Sequence, residues 1–472
     1  MGKGDRKNDK ARKGLWGFID NIEGDKVVWI IVFLLIMISI LAIFSSTSIL
    51  KEGSKDRMDF VSEHLVIVGI GLGLIFGLYN IKKIGIFRFF SQLGFGVSFV
   101  LLALLASHLR IPGVIEAERI NGAWRTLRIA GFQLHVFEVV KVAMVMYLAW
   151  AIHAYKEDQA ARSRKKDSKY FKFMNRMGKA FPTLNKPIWK RMFYMYLPIL
   201  VVCVLTLLGS GSSAIFIGAI LIATLLIGGM PFRELALAGM AGIATLGLIM
   251  GVYYATDGRV FGKFERVATM FDRIGADYDA AKRLRDVKPG SREFYDILDD
   301  IKQPYSAKIA VHEGRILGKN SGNSTQKYVV SNIYGDYMFS FLVEEYGLIG
   351  GIIVIFLYVS LLARGSTIAR NCNTEYAKIA VGGLSVLITG QAFMHMFVNV
   401  DIGPMTGQTL PLISHGSFAF LVFCIAFGVI LSISRMARKW IQEEEEAAIP
   451  IYDSSADDIQ ASMDILEQID NQ

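Results

Sequence analysis

The chain has 472 residues, 53% of them hydrophobic and 20% charged, with a mean hydropathy of +0.40. A soluble enzyme of this size carries more charge and less apolar content, so that class is excluded. The net charge of +9 does not point to nucleic acid either, because Lys and Arg flank apolar stretches instead of forming a separate basic domain.

In chain order, a basic segment (residues 1–26) precedes apolar runs over 27–46, 64–80, 89–107, 132–154, 192–209, 212–229, 233–254, 337–363, 377–398 and 416–435. Crossing a hydrocarbon core takes roughly 20 helical residues, so the pattern predicts an all-α polytopic membrane protein with ten transmembrane helices in a domain spanning 27–436. Runs such as VVWIIVFLLIMISILAIF are continuously apolar, unlike the short alternating segments of a β-barrel. The first run lacks a small-residue cleavage site and reads as an uncleaved anchor. Lys3, Arg6, Lys7 and Lys10 before it, and Arg162, Arg164, Lys165 and Lys166 in the 155–191 loop, place those segments in the cytoplasm. With ten spans both termini are then cytoplasmic, and 255–336 becomes a long extracytoplasmic loop between helices 7 and 8, with short helices on the membrane face. The acidic tail, 437–472, reads as a solvated cytoplasmic extension. Cys203, Cys372 and Cys424 are far apart and the seven histidines form no paired motif, so disulfide, zinc and iron–sulfur chemistry lack support.

Ionisable residues inside the spans are the functional signal. Glu138 and Lys141 lie in the fourth span, where a lone charge costs roughly 2.5–3.5 kcal/mol at the bilayer centre. Their i, i+3 spacing puts them on one helix face as a pair. Such a pair either fastens neighbouring helices or, with Arg119, Arg125 and Arg128 from the preceding external loop, forms a cationic patch suited to a pyrophosphate head group. Further along, Gly314, Gly318 and Gly322 stand among Lys319, Asn320, Ser324, Thr325 and Gln326, offering backbone donors and hydroxyls or ordinary turns. Asp336 stands at the external mouth of the eighth span, as a helix N-cap or as a carboxylate base at the interface. Glu344 and Glu345 follow, and two adjacent acids cannot both face lipid. The stretch NVDIGPMTGQTLPLISHGS, between the last two spans, suits non-helical backbone buried against protein, mostly as scaffold.

These residues together resemble the SEDS proteins, the RodA/FtsW group of bacterial peptidoglycan glycosyltransferases, over residues 27–436. NGAWRTLRIAGFQLHVFEVVK is similar to the family's N-G-A-x-R-W followed by Q-P-S-E-x-x-K, matching Asn121, Gly122, Arg125, Glu138 and Lys141. Gly318, Gly322, Ser324, Gln326, Lys327, Asp336, Glu344, Glu345 and Gly347 follow the next motif region; Asn399, Thr406, Gly407, Leu410, Pro411, Ser414 and Gly416 follow the last. The chain departs where His135, Val136 and Phe137 replace the usual Gln, Pro and Ser, and where the tryptophan sits at Trp124 with Thr126 in its usual place. GSGSSA from Gly209 to Ala214 replaces a Q-P-D-L-G-T run and removes a carboxylate, and Val330, Ser331 and Asn332 replace L-P-E.

The resemblance implies polymerisation of lipid II at the outer face of the cytoplasmic membrane, during division or, alternatively, elongation; the GDKVVWI opening and SSTS after the first span favour division at the septum. Asp336 is then the expected catalytic base, and the substrate-binding set is Lys141, Glu138, Arg125, Arg128, Ser324, Gln326, Lys327 and Ser414. No cofactor is marked; a divalent cation, Mg2+ or Mn2+, is an option for the leaving group's charge. Expected partners are a class B penicillin-binding transpeptidase and other division or elongation membrane proteins, with no nucleic acid. The rival readings are a lipid II flippase and a non-catalytic scaffold of the division machinery.

Overall fold

The structure, a computed structural model, describes residues 23–47, 57–107, 110–111, 115–120, 123–129, 131–164, 170–172, 174–175, 186–256, 284, 286–330, 333–402 and 407–448. Most of the basic N-terminal segment, much of the long loop, the end of the acidic tail, and Asn121, Gly122 and Thr406 lie outside the described residues, as does the side chain of Arg119.

Ten apolar helices form the bundle: α1 (Lys26–Ser46), α2 (Arg57–Tyr79), α3 (Ile84–Ser107), α4 (Val136–Ser163), α5 (Pro187–Gly209), α6 (Gly211–Ile227), α7 (Phe232–Ala255), α9 (Met338–Arg370), α10 (Glu375–Asn399) and α11 (Ser417–Ala448). Among the described residues nine of them are long and apolar enough to cross a membrane, and α6 is a shorter apolar helix. They match the ten apolar runs of the sequence. The polar helix α8 (Arg292–Gly314) lies in the long loop and packs on α9.

Helix starts follow local chemistry. Asp25 caps α1, accepting from Val27 N and Val28 N at 3.0 and 3.1 Å, and also holds the Arg364 guanidinium at the end of α9. At Ser210 the backbone turns extended (φ −158°, ψ 113°), separating α5 from α6, and the serine hydroxyl caps the new helix.

The core belongs to α4 and α11: 83% and 78% of their apolar stretches are buried inside the molecule, against 12% for α7. Exposed apolar side chains such as Phe89, Phe90, Ile352 and Phe356 lie on the outside, as expected of surfaces facing hydrocarbon. Ion pairs tie helix ends together at one end of the bundle: Lys190–Asp158 at 2.5 Å, Lys156–Glu375 at 2.6 Å and Arg191–Glu234 at 2.6 Å.

At the other end the connection between α3 and α4 is a small antiparallel sheet, β1 (Arg110–Ile111), β2 (Ile115–Ile120), β3 (Ala123–Ile129) and β4 (Phe132–His135), in sequential order. The fourth apolar run begins at 132, but Phe132–His135 is the last strand of the sheet, and α4 starts at Val136. Leu127 is fully buried and Thr126 beside it likewise, so the sheet is seated on the bundle through β3, which packs on α3, α4 and α5.

Candidate active site

The first cluster grows from the start of α4. Glu138 and Lys141 share a face, and Lys141 Nζ donates to Glu138 Oε1 at 2.7 Å. An ammonium has three donors, and here the other two go to the side-chain oxygens of Gln391 on α10 and of Gln408 after it, the latter at 2.8 Å. Both amides are themselves held: Gln391 Nε2 donates to Thr409 O at 3.1 Å, and Gln408 Nε2 to Ser213 Oγ on α6 at 3.3 Å. The rings of Phe216 and Phe423 lie 5.6 and 6.0 Å from the ammonium. Lys141 is 2% exposed, a buried cation compensated by one carboxylate and two oriented amides. Among the described residues the second oxygen of Glu138 finds no hydrogen-bond partner.

The sheet brings Arg125 and His135 alongside. Burial lowers the pKa of the His135 imidazole, with the charges of Arg125 and Lys141 acting the same way and Glu138 against them, so these groups share one electrostatic environment. The Arg125 guanidinium rests on Gly407: a Cβ there would lie 2.4 Å from Nη1. Gly407 also has φ of +60°, so a side chain is unwelcome on both counts. Arg128 does not join them. Successive strand residues point to opposite faces, so an odd spacing separates Arg125 from Arg128. Arg128 is half exposed and pairs with Glu118 at 2.8 Å, which also accepts from Gln133 at 3.1 Å. The expected patch of three arginines is therefore not one cluster; Arg125 alone of the described guanidiniums there accompanies Lys141.

The second cluster holds Asp336, half-buried in the turn before α9. The Gly335 carbonyl accepts from Ser414 Oγ at 2.8 Å, and the Asp336 carbonyl accepts from Asn399 Nδ2 at 3.0 Å. The expected substrate-binding role of Ser414 thus meets a hydroxyl already engaged with backbone on both sides, since it also accepts from Leu410 N at 3.0 Å. Capping of α9 comes from α10: Phe339 N donates to His395 Nε2 at 3.3 Å and Ser340 N to Asn399 Oδ1 at 2.9 Å. The residue in the N-cap position is Tyr337, with no side-chain cap bond.

Gln391, His395 and Asn399 recur every four residues and so share one face of α10. His395 completes the line, its Nδ1 lying 2.7 Å from the Gln408 carbonyl. This polar ridge joins the two clusters, and from Gln391 to Asn399 it measures about 12 Å at 1.5 Å per residue. Gln391, His395 and Gln408 escaped the sequence reading, and Asn399 was matched there without a role. The four-residue recurrence of polar side chains inside an apolar span was the available signal.

Ser324 and Lys327 lie elsewhere. Both are buried and turned into their own loop: Ser324 Oγ donates to Glu344 Oε2 at 2.5 Å, and Lys327 Nζ to the Gly322 carbonyl at 2.6 Å. Gln326 is half-buried, its amide 3.4 Å from Thr325 Oγ1. Glu344 also receives Lys319 Nζ at 2.9 Å, and Glu345 receives Ser45 Oγ at 2.6 Å and Gly322 N at 2.9 Å, so both acids face partners inside the protein. Burial acts to lower the pKa of the Lys319 ammonium, but Glu313 and Glu344 outweigh it and hold the pKa above its usual value. Among the described residues no group of three acidic, His or Cys side chains gathers into a cation site.

Comparison with known proteins agrees with this architecture. The model of the FtsW/RodA/SpoVE family, described as cell cycle proteins, matches residues 25–439. Stage V sporulation protein E of Bacillus subtilis is 24% identical over 422 residues, covering 88% of this chain and 98% of that protein. A probable peptidoglycan glycosyltransferase FtsW of Marinomonas mediterranea is 27% identical over 433 residues, covering 88% and 90%. Among solved structures, a chain from a peptidoglycan synthase complex that coordinates polymerization and crosslinking aligns with a TM-score of 0.57 at 20% identity, over 87% of this chain and 98% of that one. Thermus thermophilus RodA aligns with a TM-score of 0.52 at 19% identity, over 88% and 98%. At these identities the structures speak for the fold, while the family model covers nearly all of the bundle. The chain belongs to the FtsW/RodA/SpoVE family of cell cycle proteins.

Proposed function

We propose that this chain is a peptidoglycan glycosyltransferase of the bacterial cytoplasmic membrane that polymerises lipid II at the outer face, during division. The observation that carries the reading is the joining of two chemically distinct groups at one end of the bundle: the Asp336 turn and the Lys141 network, bridged by one face of α10. Glycosyl transfer from a polyprenyl pyrophosphate needs both. A hydroxyl of one sugar attacks the anomeric carbon of another, the bond to pyrophosphate breaks, and the hydroxyl proton goes to a base.

Asp336 takes that proton. Arg125, resting against the loop that carries Gln408, meets the charge developing on the pyrophosphate. Lys141 contributes its charge through a low-dielectric interior, where fixed charges act more strongly than in water. Glu138, Gln391 and Gln408 hold its ammonium in place. Ser414 fixes the backbone beside Asp336, and Ser324 and Lys327 hold the loop over Glu344 and Glu345. Arg128 serves the sheet. A single-span class B penicillin-binding transpeptidase fits as partner, since glycan strands need cross-linking; the similar chain from a synthase complex supports that reading.

The test is the full chain, purified with its transpeptidase and supplied with lipid II. Wild type is expected to make glycan polymer, and Asp336→Ala, folded and inserted, none. Full polymerisation by Asp336→Ala would remove the base from the mechanism. Lipid II translocation without polymer in both proteins would favour a flippase.

A further inference from the structure

The Asp336 turn has no regular structure of its own between Ile333 and Tyr337, so its place is set by what it is bonded to. Asn399 uses its whole amide there: Nδ2 donates to the carbonyls of Asp336 and His395 at 3.0 and 2.8 Å, and Oδ1 accepts from Ser340 N at 2.9 Å. His395 is bound on both ring nitrogens, Nδ1 to a carbonyl and Nε2 to a backbone N–H. A carbonyl can only accept and an N–H can only donate, so the ring is the neutral tautomer with its proton on Nδ1. Both side chains are essentially unexposed, at 0% and 1%. The same helix face carries Gln391, which binds Lys141, and the carbonyl that His395 binds belongs to Gln408, which binds it too.

We propose that Asn399 and His395 are positioning residues for the reaction, fixing from α10 where the Asp336 carboxylate stands relative to the Lys141 network. This rests on the reading of Asp336 as base. Neither side chain need touch substrate. Asparagine suits the place because the turn presents one acceptor and one donor to a single side chain; an ionised aspartate supplies only acceptors, and leucine neither.

Asn399→Asp in the full chain tests the proposal. It keeps the bond from Ser340, loses the donor to Asp336, and sets a second carboxylate within about 8 Å of the first by covalent geometry. Like charges raise a carboxyl pKa, here by about one and a half units at an effective dielectric near 20. In a lipid II polymerisation assay kcat is expected to fall about tenfold or more with KM within about twofold, and the acid limb of the pH–rate profile to move up by about one and a half units. His395→Phe, which removes both ring bonds and adds no charge, is expected to lower kcat without moving the limb.

A merely structural role would lower the folded fraction and leave kcat per folded molecule in place. That outcome, or an Asn399→Asp enzyme with wild-type kcat and profile, overturns the proposal. Infrared titration of 13C-aspartate-labelled protein, with the Asp336 band assigned by Asp336→Asn, gives the same answer without activity. An upward move of that band in Asn399→Asp supports the proposal, and an unmoved band overturns it. A moved band in a chain that makes no glycan even as wild type marks the failure of the polymerase reading instead.

Discussion

The Lys141 ammonium is buried in the bundle, and what tolerates it is a set of oxygens drawn from three places in the fold. Removing one partner of such a pair leaves the other charge uncompensated, which typically costs 3–5 kcal/mol, whereas replacing both with neutral groups costs far less. Lys141→Met is therefore expected to lose roughly 3 kcal/mol or more of stability, and adding Glu138→Gln to recover most of it, read by thermal unfolding in detergent. Equal stability of Lys141→Met and wild type would show that the pair does not fasten the helices. His135 gives a second expectation at this scale. Its pKa is lowered in the fold, so its contribution is fully present above its ordinary value near 6.5 and is lost as pH falls below it. His135→Gln should thus unfold at a temperature that declines less between pH 7 and pH 5 than wild type does; identical declines would refute the assignment. The Glu138–Lys141 pair was legible in the sequence because its partners are three residues apart, while Gln391 and Gln408 stand 250 and 267 positions from Lys141 and nothing local announces them.

At the scale of elements, α9 is the informative case. Its backbone breaks at Gly347 (φ 70°, ψ −173°), and the groups freed there are bonded by the loop before it: Leu348 N to Arg315 O at 2.8 Å, and Lys319 N to Glu344 O at 2.9 Å. Non-helical backbone at membrane depth survives only where protein satisfies it. A Cβ at Gly347 would stand 2.2 Å from Ile316 O in a backbone region that L side chains rarely adopt. Gly347→Ala is accordingly expected to cost about 2–4 kcal/mol and to free the Glu344–Glu345 loop, seen as faster amide exchange at residues 315–322. Unchanged exchange there would contradict the close packing. The sheet illustrates what sequence reading loses: strands of two to seven residues with charges scattered along them look like a polar loop until cross-strand neighbours such as Glu118, Arg128 and Gln133 are brought together. Strand alternation also undid the expected arginine patch, because residues near in sequence went to opposite faces.

For the whole molecule, the apolar runs alone carried the architecture: each helix buries apolar surface or faces hydrocarbon, so ten runs became ten helices at close to the expected positions. What the runs could not show is the difference between the two ends. One is fastened by ion pairs between helix termini; the other gathers the sheet, the Asp336 turn and the polar ridge of α10. The motif residues that the family resemblance singled out divide there into two clusters joined along α10 and a loop-holding set, a division that depends on contacts across long separations. The most direct measurement is a cryo-electron microscopy map of the full chain in nanodiscs with a non-reactive lipid II analogue. If Asp336 is the base and Arg125 meets the leaving group, the acceptor hydroxyl lies within hydrogen-bond reach of the Asp336 carboxylate and the pyrophosphate lies against Arg125. Density for the head group at the ion-paired end of the bundle, or on the far face of the sheet beside Arg128, would contradict it.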